Sequence, residues 1–148
     1  MPLAEVISLL RRRYGAAVDT ALSPEAVDVS LSTAQLPAAV KSPRAGEADS
    51  SWLRTTNMVG INVRTIGDFA AVVKYALTMP AAFDSIHLLP IWEPGVVESL
   101  YGIASWNLNS EYYSDELLAL APHIDTIERQ LRAVSNLLHV MGKTIGMD

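Results

Sequence analysis

The chain of 148 residues has no cysteine, which excludes a disulfide framework and a thiolate metal site. No window approaches the roughly 20 consecutive apolar residues of a membrane-spanning helix. Positive charge is scarce: 11 lysines and arginines face 16 acids, for a net charge of −5. The only basic cluster, Arg11, Arg12 and Arg13, is too short to neutralise a phosphate track, so a nucleic-acid partner is not expected and the arginines read as a solvated helix end. The opening "MPLAEVISLLRRRYG" is broken by Glu5 and Ser8 and carries its basic residues after the apolar run, the wrong order for a secretory signal. These absences point to a soluble, cytoplasmic chain with no membrane partner.

Three further absences narrow the chemistry. His87, His123 and His139 share no metal-binding spacing, so no metal is expected. No serine sits in a strand-to-helix elbow of the hydrolase type. "RTIGDF" (64–69) offers one glycine, Gly67, and not the glycine-rich fingerprint of a dinucleotide site; Asp68 reads as a helix cap, and no cofactor is expected.

What the chain has in quantity is apolar residues, 50% of the total, enough for a packed core in one domain of this length. Residues 1–56 read as an N-terminal extension. Leu3, Val6, Ile7 and Leu10 recur at helical spacing until Gly15; Val27, Val29 and Leu31 alternate as a short strand would; residues 35–51 collect the proline, glycine and serine of a linker.

From residue 57 the pattern changes. Strands are expected at 58–66, 85–92 and 143–148, with amphipathic helices at 68–79 and 125–141 between them. Strand, helix, strand, helix, strand is the order of right-handed βαβ units with parallel strands. The strand runs read as continuously apolar, which predicts a sheet covered on both faces. Such a unit belongs to a doubly wound sheet or to the first part of a (β/α)8 barrel. In either, ligands sit beyond the carboxyl ends of the strands. The long connection 93–125 leaves one of those ends and holds Tyr101, Trp106, Tyr112 and Tyr113, with Trp92 beside it. Aromatic rings cover the apolar faces of sugars while amides and acids reach the hydroxyls, so Trp92, Tyr101, Trp106 and Asn107 are candidate saccharide contacts; the same rings could equally pack the loop onto the strand ends.

"IHLLPIWEPG", "YGIASWNLNSEYY" and "HIDTIERQLRAVSNLLHVMGKTIGMD", in this order and spacing, resemble the opening of the catalytic barrel in the α-amylase family of glycoside hydrolases, over about residues 58–148. The resemblance implies an incomplete barrel cut at its third strand, with Asp148 matching the first aspartate of the block that follows that strand. It also implies that the nucleophile, the acid/base glutamate and the third carboxylate come from later strands. One departure stands out: Tyr101-Gly102 reverses the family's glycine-tyrosine order, leaving Ile103 where a ring would stack on the sugar.

Retaining hydrolysis needs two carboxyl groups about 5 Å apart. Glu93, Glu98, Glu111, Asp115 and Asp148 are the acids near the strand ends, and none is expected to be catalytic. The chain is therefore expected to be an N-terminal part of an α-glucoside-active hydrolase or glycosyl-transferring enzyme, inactive alone, with possible self-association through its open sheet edge. The alternatives are a small α/β binding module that uses 93–125 as its recognition surface, or an interaction protein whose apolar surplus forms an oligomer interface.

Overall fold

The computed structural model describes residues 1–97 and 99–148. Its helices are α1 (Leu3–Tyr14), α2 (Ala17–Ala21), α3 (Val63–Ile66), α4 (Phe69–Thr78), α5 (Asp115–Leu120) and α6 (Ile127–Val140); its strands are β1 (Met58–Ile61), β2 (Ser85–Leu88), β3 (Trp92–Pro94), β4 (Ile103–Leu108) and β5 (Thr144–Met147). The chain is α/β. Strands β1, β2 and β5 form a parallel sheet in chain order, and β3 and β4 form a separate antiparallel hairpin.

The caps follow from side-chain chemistry. Asp68 accepts from the Ala71 amide at 3.0 Å to start α4, and Thr126 accepts from the Arg129 amide at 3.2 Å to start α6. Gly142, at φ 77°, turns the chain out of α6 toward β5, a conformation that a side chain would strain.

Two successive right-handed crossovers that step the same way across a sheet put both helices on one face. Here α4 packs on α6. Beneath them lie Ile61, Ile86 and Leu88, in one core with Phe69, Val73, Val134 and Leu138. In register, Met58, Ser85 and Thr144 form one row of the opposite face, and Gly60, His87 and Gly146 form the next. That face lacks the apolar cover predicted for it: Met58 is 47% exposed and Gly60 lies open, although Ser85 and Thr144 are buried at the strand starts. "SIHL" and "TIGM" alternate between apolar and small or polar residues, and the short runs concealed that period of two.

Other boundaries shift for local reasons. The expected first strand stops at Ile61 because Asn62 accepts from the Arg64 amide and caps the single turn of α3. The second is split after Leu88 by Leu89, Pro90 and Ile91, since proline has no N–H for a ladder. No strand forms at 27–31. Asp28 instead accepts from the Ser30 amide at 2.9 Å and its hydroxyl at 2.7 Å, closing a turn.

Residues 1–56 share the core with the sheet-bearing part: Leu3, Ile7, Leu10, Val18, Leu36 and Val40 are all buried in the same cluster. Polar side chains of α6 hold that segment by its backbone. Asn136 donates to the Ala21 and Ala26 carbonyls at 2.9 and 3.0 Å, Arg132 to Leu31 at 3.2 Å, and His139 Nδ1 meets the Val40 carbonyl at 2.9 Å. Among the described residues, no helix is long and apolar enough to cross a membrane.

Candidate functional site

The carboxyl ends of the parallel strands gather most of the residues singled out in the sequence. The chain leaves β2, passes Pro90 and enters the β3–β4 hairpin, which pairs Trp92 with Leu108 and Pro94 with Ile103 around an irregularity. Strand alternation gives the hairpin two different faces.

One face is aromatic. Trp92 and Trp106 meet edge to face, with ring centroids 5.5 Å apart and planes inclined by 73°. This is the arrangement favoured by the ring quadrupoles. Trp106 is 75% exposed, so its ring remains available to a ligand. The Trp92 indole N–H donates to the Asp148 backbone carbonyl at 2.9 Å, tying the hairpin to the end of β5.

The other face is polar. Glu93 Oε2 accepts from the Ser105 hydroxyl and, at 3.5 Å, from the Asn107 side-chain amide, while Ser105 Oγ accepts from the Asn107 backbone at 3.1 Å. Trp106 and Asn107, neighbours in sequence, therefore engage opposite faces of the hairpin, Trp106 through Trp92 and Asn107 through Glu93. Tyr101 lies in the connecting turn, 64% exposed.

Against the aromatic face runs a cleft of about 570 Å³, walled by Trp92, Trp106 and Leu108 on one side and by Arg132 and His139 of α6 on the other, with Ile145 and Met147 of β5 at its base. The volume lies within the range of small-molecule sites. Burial holds the His139 imidazole below its ordinary pKa, with the bond to Val40 pulling the other way.

Among the described residues, each candidate acid has its own setting. Glu111 faces Arg64 at 3.4 Å. Asp115 sits in the first turn of α5. Glu93 is held by Ser105 and Asn107, and Asp148 meets Trp92 through its backbone carbonyl. Glu98 lies outside the described residues. Among the described residues, no group of three histidines, cysteines or acids could hold a metal ion.

Sequence reasoning passed over Glu116. Its two oxygens accept from the Leu3 amide at 2.7 Å and the Lys74 ammonium at 2.5 Å, joining α1, α4 and α5; the lysine bond, then the amide bond, holds its carboxyl below the ordinary value. No sequence spacing links positions 3, 74 and 116. The fold has to be known first. No family model, curated protein or solved structure matches the chain.

Proposed function

We propose that this chain is the opening βαβαβ part of an α-amylase-type (β/α)8 barrel, from an enzyme that hydrolyses or transfers the glycosyl group of an α-glucoside in the cytoplasm. Its share of the work is to present the β3–β4 hairpin to the saccharide. The observation that carries this reading is the Trp92 to Asp148 hydrogen bond, which draws an aromatic hairpin and the residue that follows β5 together at the carboxyl end of a parallel sheet. Two further features support it: strand order runs one way with no reversal, and the helices α4 and α6 pack together on one face. The opposite face, with Gly60, His87 and Gly146 in a row, would then look into the barrel.

In this reading Trp106 covers the apolar face of a sugar ring in the cleft that Asn107 also lines, and Glu93, on the other side of the hairpin, holds Asn107 and Ser105 in place. The candidate contacts are Trp92, Tyr101, Trp106, Asn107 and Asp148. No carboxylate pair of the required kind is identified among the described residues, and on this reading the chain alone has no glycosidase turnover.

Titration of the isotope-labelled chain with maltose tests the site. The Trp106 indole N–H resonance should shift saturably, and Trp106→Ala should abolish the response. A chain whose tryptophan resonances ignore maltose and other α-glucosides at high millimolar concentration would remove the saccharide reading. Turnover of an α-glucoside that Glu93→Gln eliminates would remove the claim of inactivity.

One observation favours a second reading, a small binding or oligomerisation module. The hairpin tip exposes Val96 at 102%, Val97 at 78% and Tyr101 at 64%, an apolar knob suited to protein contact.

A further inference from the structure

The Arg11–Arg13 cluster has no part in the saccharide site, yet one of its members lines a second pocket. Arg11 is paired with Asp19 at 2.9 Å. Among the described residues, Arg13 is not paired with an acid. Its guanidinium lies 5.4 Å from the ring centroid of Tyr14, at a pocket of about 180 Å³ beside the end of the sheet where β2 and β5 begin.

Lys143 lines the same pocket. It is only 8% exposed, and its Nζ donates to the Phe83 carbonyl at 2.7 Å. An ammonium carries three donors, and burying its charge is costly unless an opposite charge or further acceptors meet it. Among the described residues, no carboxylate lies within ion-pair distance of either Lys143 or Arg13. Asp84, the acid that lines this pocket, accepts from the Asn57 backbone amide at 2.9 Å. It draws on the Lys143 charge from a distance, against the effects of burial and of Arg13, and the net result leaves the amine below its ordinary pKa.

We propose that Arg13 and Lys143 form a binding site for a small oxyanion, the phosphate group of an inorganic or monoester phosphate. The two cations supply the charge, and an oxyanion between them provides the acceptors that the buried ammonium lacks. Tyr14, Phe83 and Met79 give the pocket an apolar wall against which the organic part of an ester could rest. In a chain of net charge −5 the overall field does not gather anions, so affinity here has to come from these two groups. The site sits at the opposite end of the sheet from the hairpin and is independent of the saccharide reading.

The test is a titration of the labelled chain with sodium phosphate against sodium chloride at matched ionic strength. Saturable shifts should appear at the Phe83, Asp84, Gly142 and Lys143 amides with phosphate only. Arg13→Gln, at an exposed helix end, should raise the half-saturation concentration roughly tenfold, as loss of a charge-assisted bond does. Arg12→Gln should leave it unchanged. Lys143→Gln keeps a donor for Phe83 and should remove saturation; if that variant unfolds, the arginine pair still decides. Phenyl phosphate saturating at lower concentration than inorganic phosphate assigns the site to a monoester, and the reverse order assigns it to the free anion. Shifts that chloride reproduces, or equal responses from the Arg13 and Arg12 variants, would overturn the proposal.

Discussion

The Trp92 indole N–H donates to the Asp148 backbone carbonyl across 2.9 Å, although 56 residues separate the two in sequence. The bond matters because it spans two elements that no ladder joins: the hairpin follows β2, and Asp148 directly follows β5. Asp148 is itself fixed by its amide, which donates to the Leu88 carbonyl at 3.0 Å. The sheet therefore sets Asp148, and Asp148 sets the angle of the hairpin.

Trp92→Phe should keep an aromatic ring against Trp106 and lose only the indole donor. The expected cost is about 0.5–1.5 kcal/mol in urea unfolding, the usual worth of one hydrogen bond. The near-ultraviolet dichroism from the Trp92 and Trp106 pair should vanish with it. An unchanged unfolding midpoint would show that the hairpin is held by its backbone alone.

Asn136→Ala should be among the most damaging substitutions that leave the apolar core untouched. The residue is fully buried and its Nδ2 serves two carbonyls, at Ala21 and Ala26. Removing it strands both acceptors away from water, at a cost of roughly 2–4 kcal/mol. If residues 1–56 were a loosely attached extension, the unfolding free energy would barely move and only their amides would lose protection from hydrogen exchange.

Acidification should weaken the fold in two stages. His139 has a folded pKa held down by burial, so its contribution is complete above the ordinary histidine value of about 6.5 and is lost as pH falls through the lower folded value. Glu116 has a carboxyl held down by Lys74 and the Leu3 amide; its contribution is complete above the ordinary glutamate value and drains away below it. Unfolding free energy measured against pH should therefore fall first below about 6.5 and again in the carboxylate range. His139→Asn should flatten the first step and leave the second. A profile with no histidine step would mean that His139 is hydrated and that the Val40 contact opens in solution.

The order of elements from residue 57 was legible because amphipathic periods of 3.6 residues survive in single sequences: Phe69, Val72, Val73 and Ala76 of α4 are buried as their spacing implies. The one-sided sheet was not, since four-residue strands are too short to separate alternation from a continuous apolar run. Nor was the hairpin. A turn of two glycines and exposed valines between "WEP" and "IASWNL" resembles an irregular loop until the pairing of Trp92 with Leu108 is known. The candidate contacts were partly legible: residue type marked Trp92, Trp106 and Asn107, but only the strand geometry assigns Trp106 and Asn107 to different faces. The backbone-directed bonds of Asn136, Arg132 and His139 left no signal, because a carbonyl acceptor has no residue type.

The outer edge of β5 gives the last prediction. The Thr144 amide donates to Asp84 and the Asp148 amide to Leu88, toward β2, so the alternating Ile145 and Met147 peptide groups point away from the sheet. Met147 is 42% exposed, and the cleft beside this edge is lined by Ile145, Leu131, Leu36 and Trp92. An unpaired apolar edge with no lysine, proline or bulge to blunt it is a template for another strand. Across the same sheet, β1 presents its own outer edge with Met58 at 47% exposure. Chains bearing both edges can add to one another, and a head-to-tail addition that does not close has no fixed size. Sedimentation of residues 1–148 should show mass rising with concentration, accompanied by binding of a dye specific for apolar surface. Met147→Lys places a charge on the edge and should return the sample to a monomer with a sharper thermal transition, at little cost to the core because the side chain is already half exposed. A wild-type chain that stays monomeric with little dye binding at several hundred micromolar would show that the β5 edge needs no partner, and the incomplete-barrel proposal would lose its physical basis.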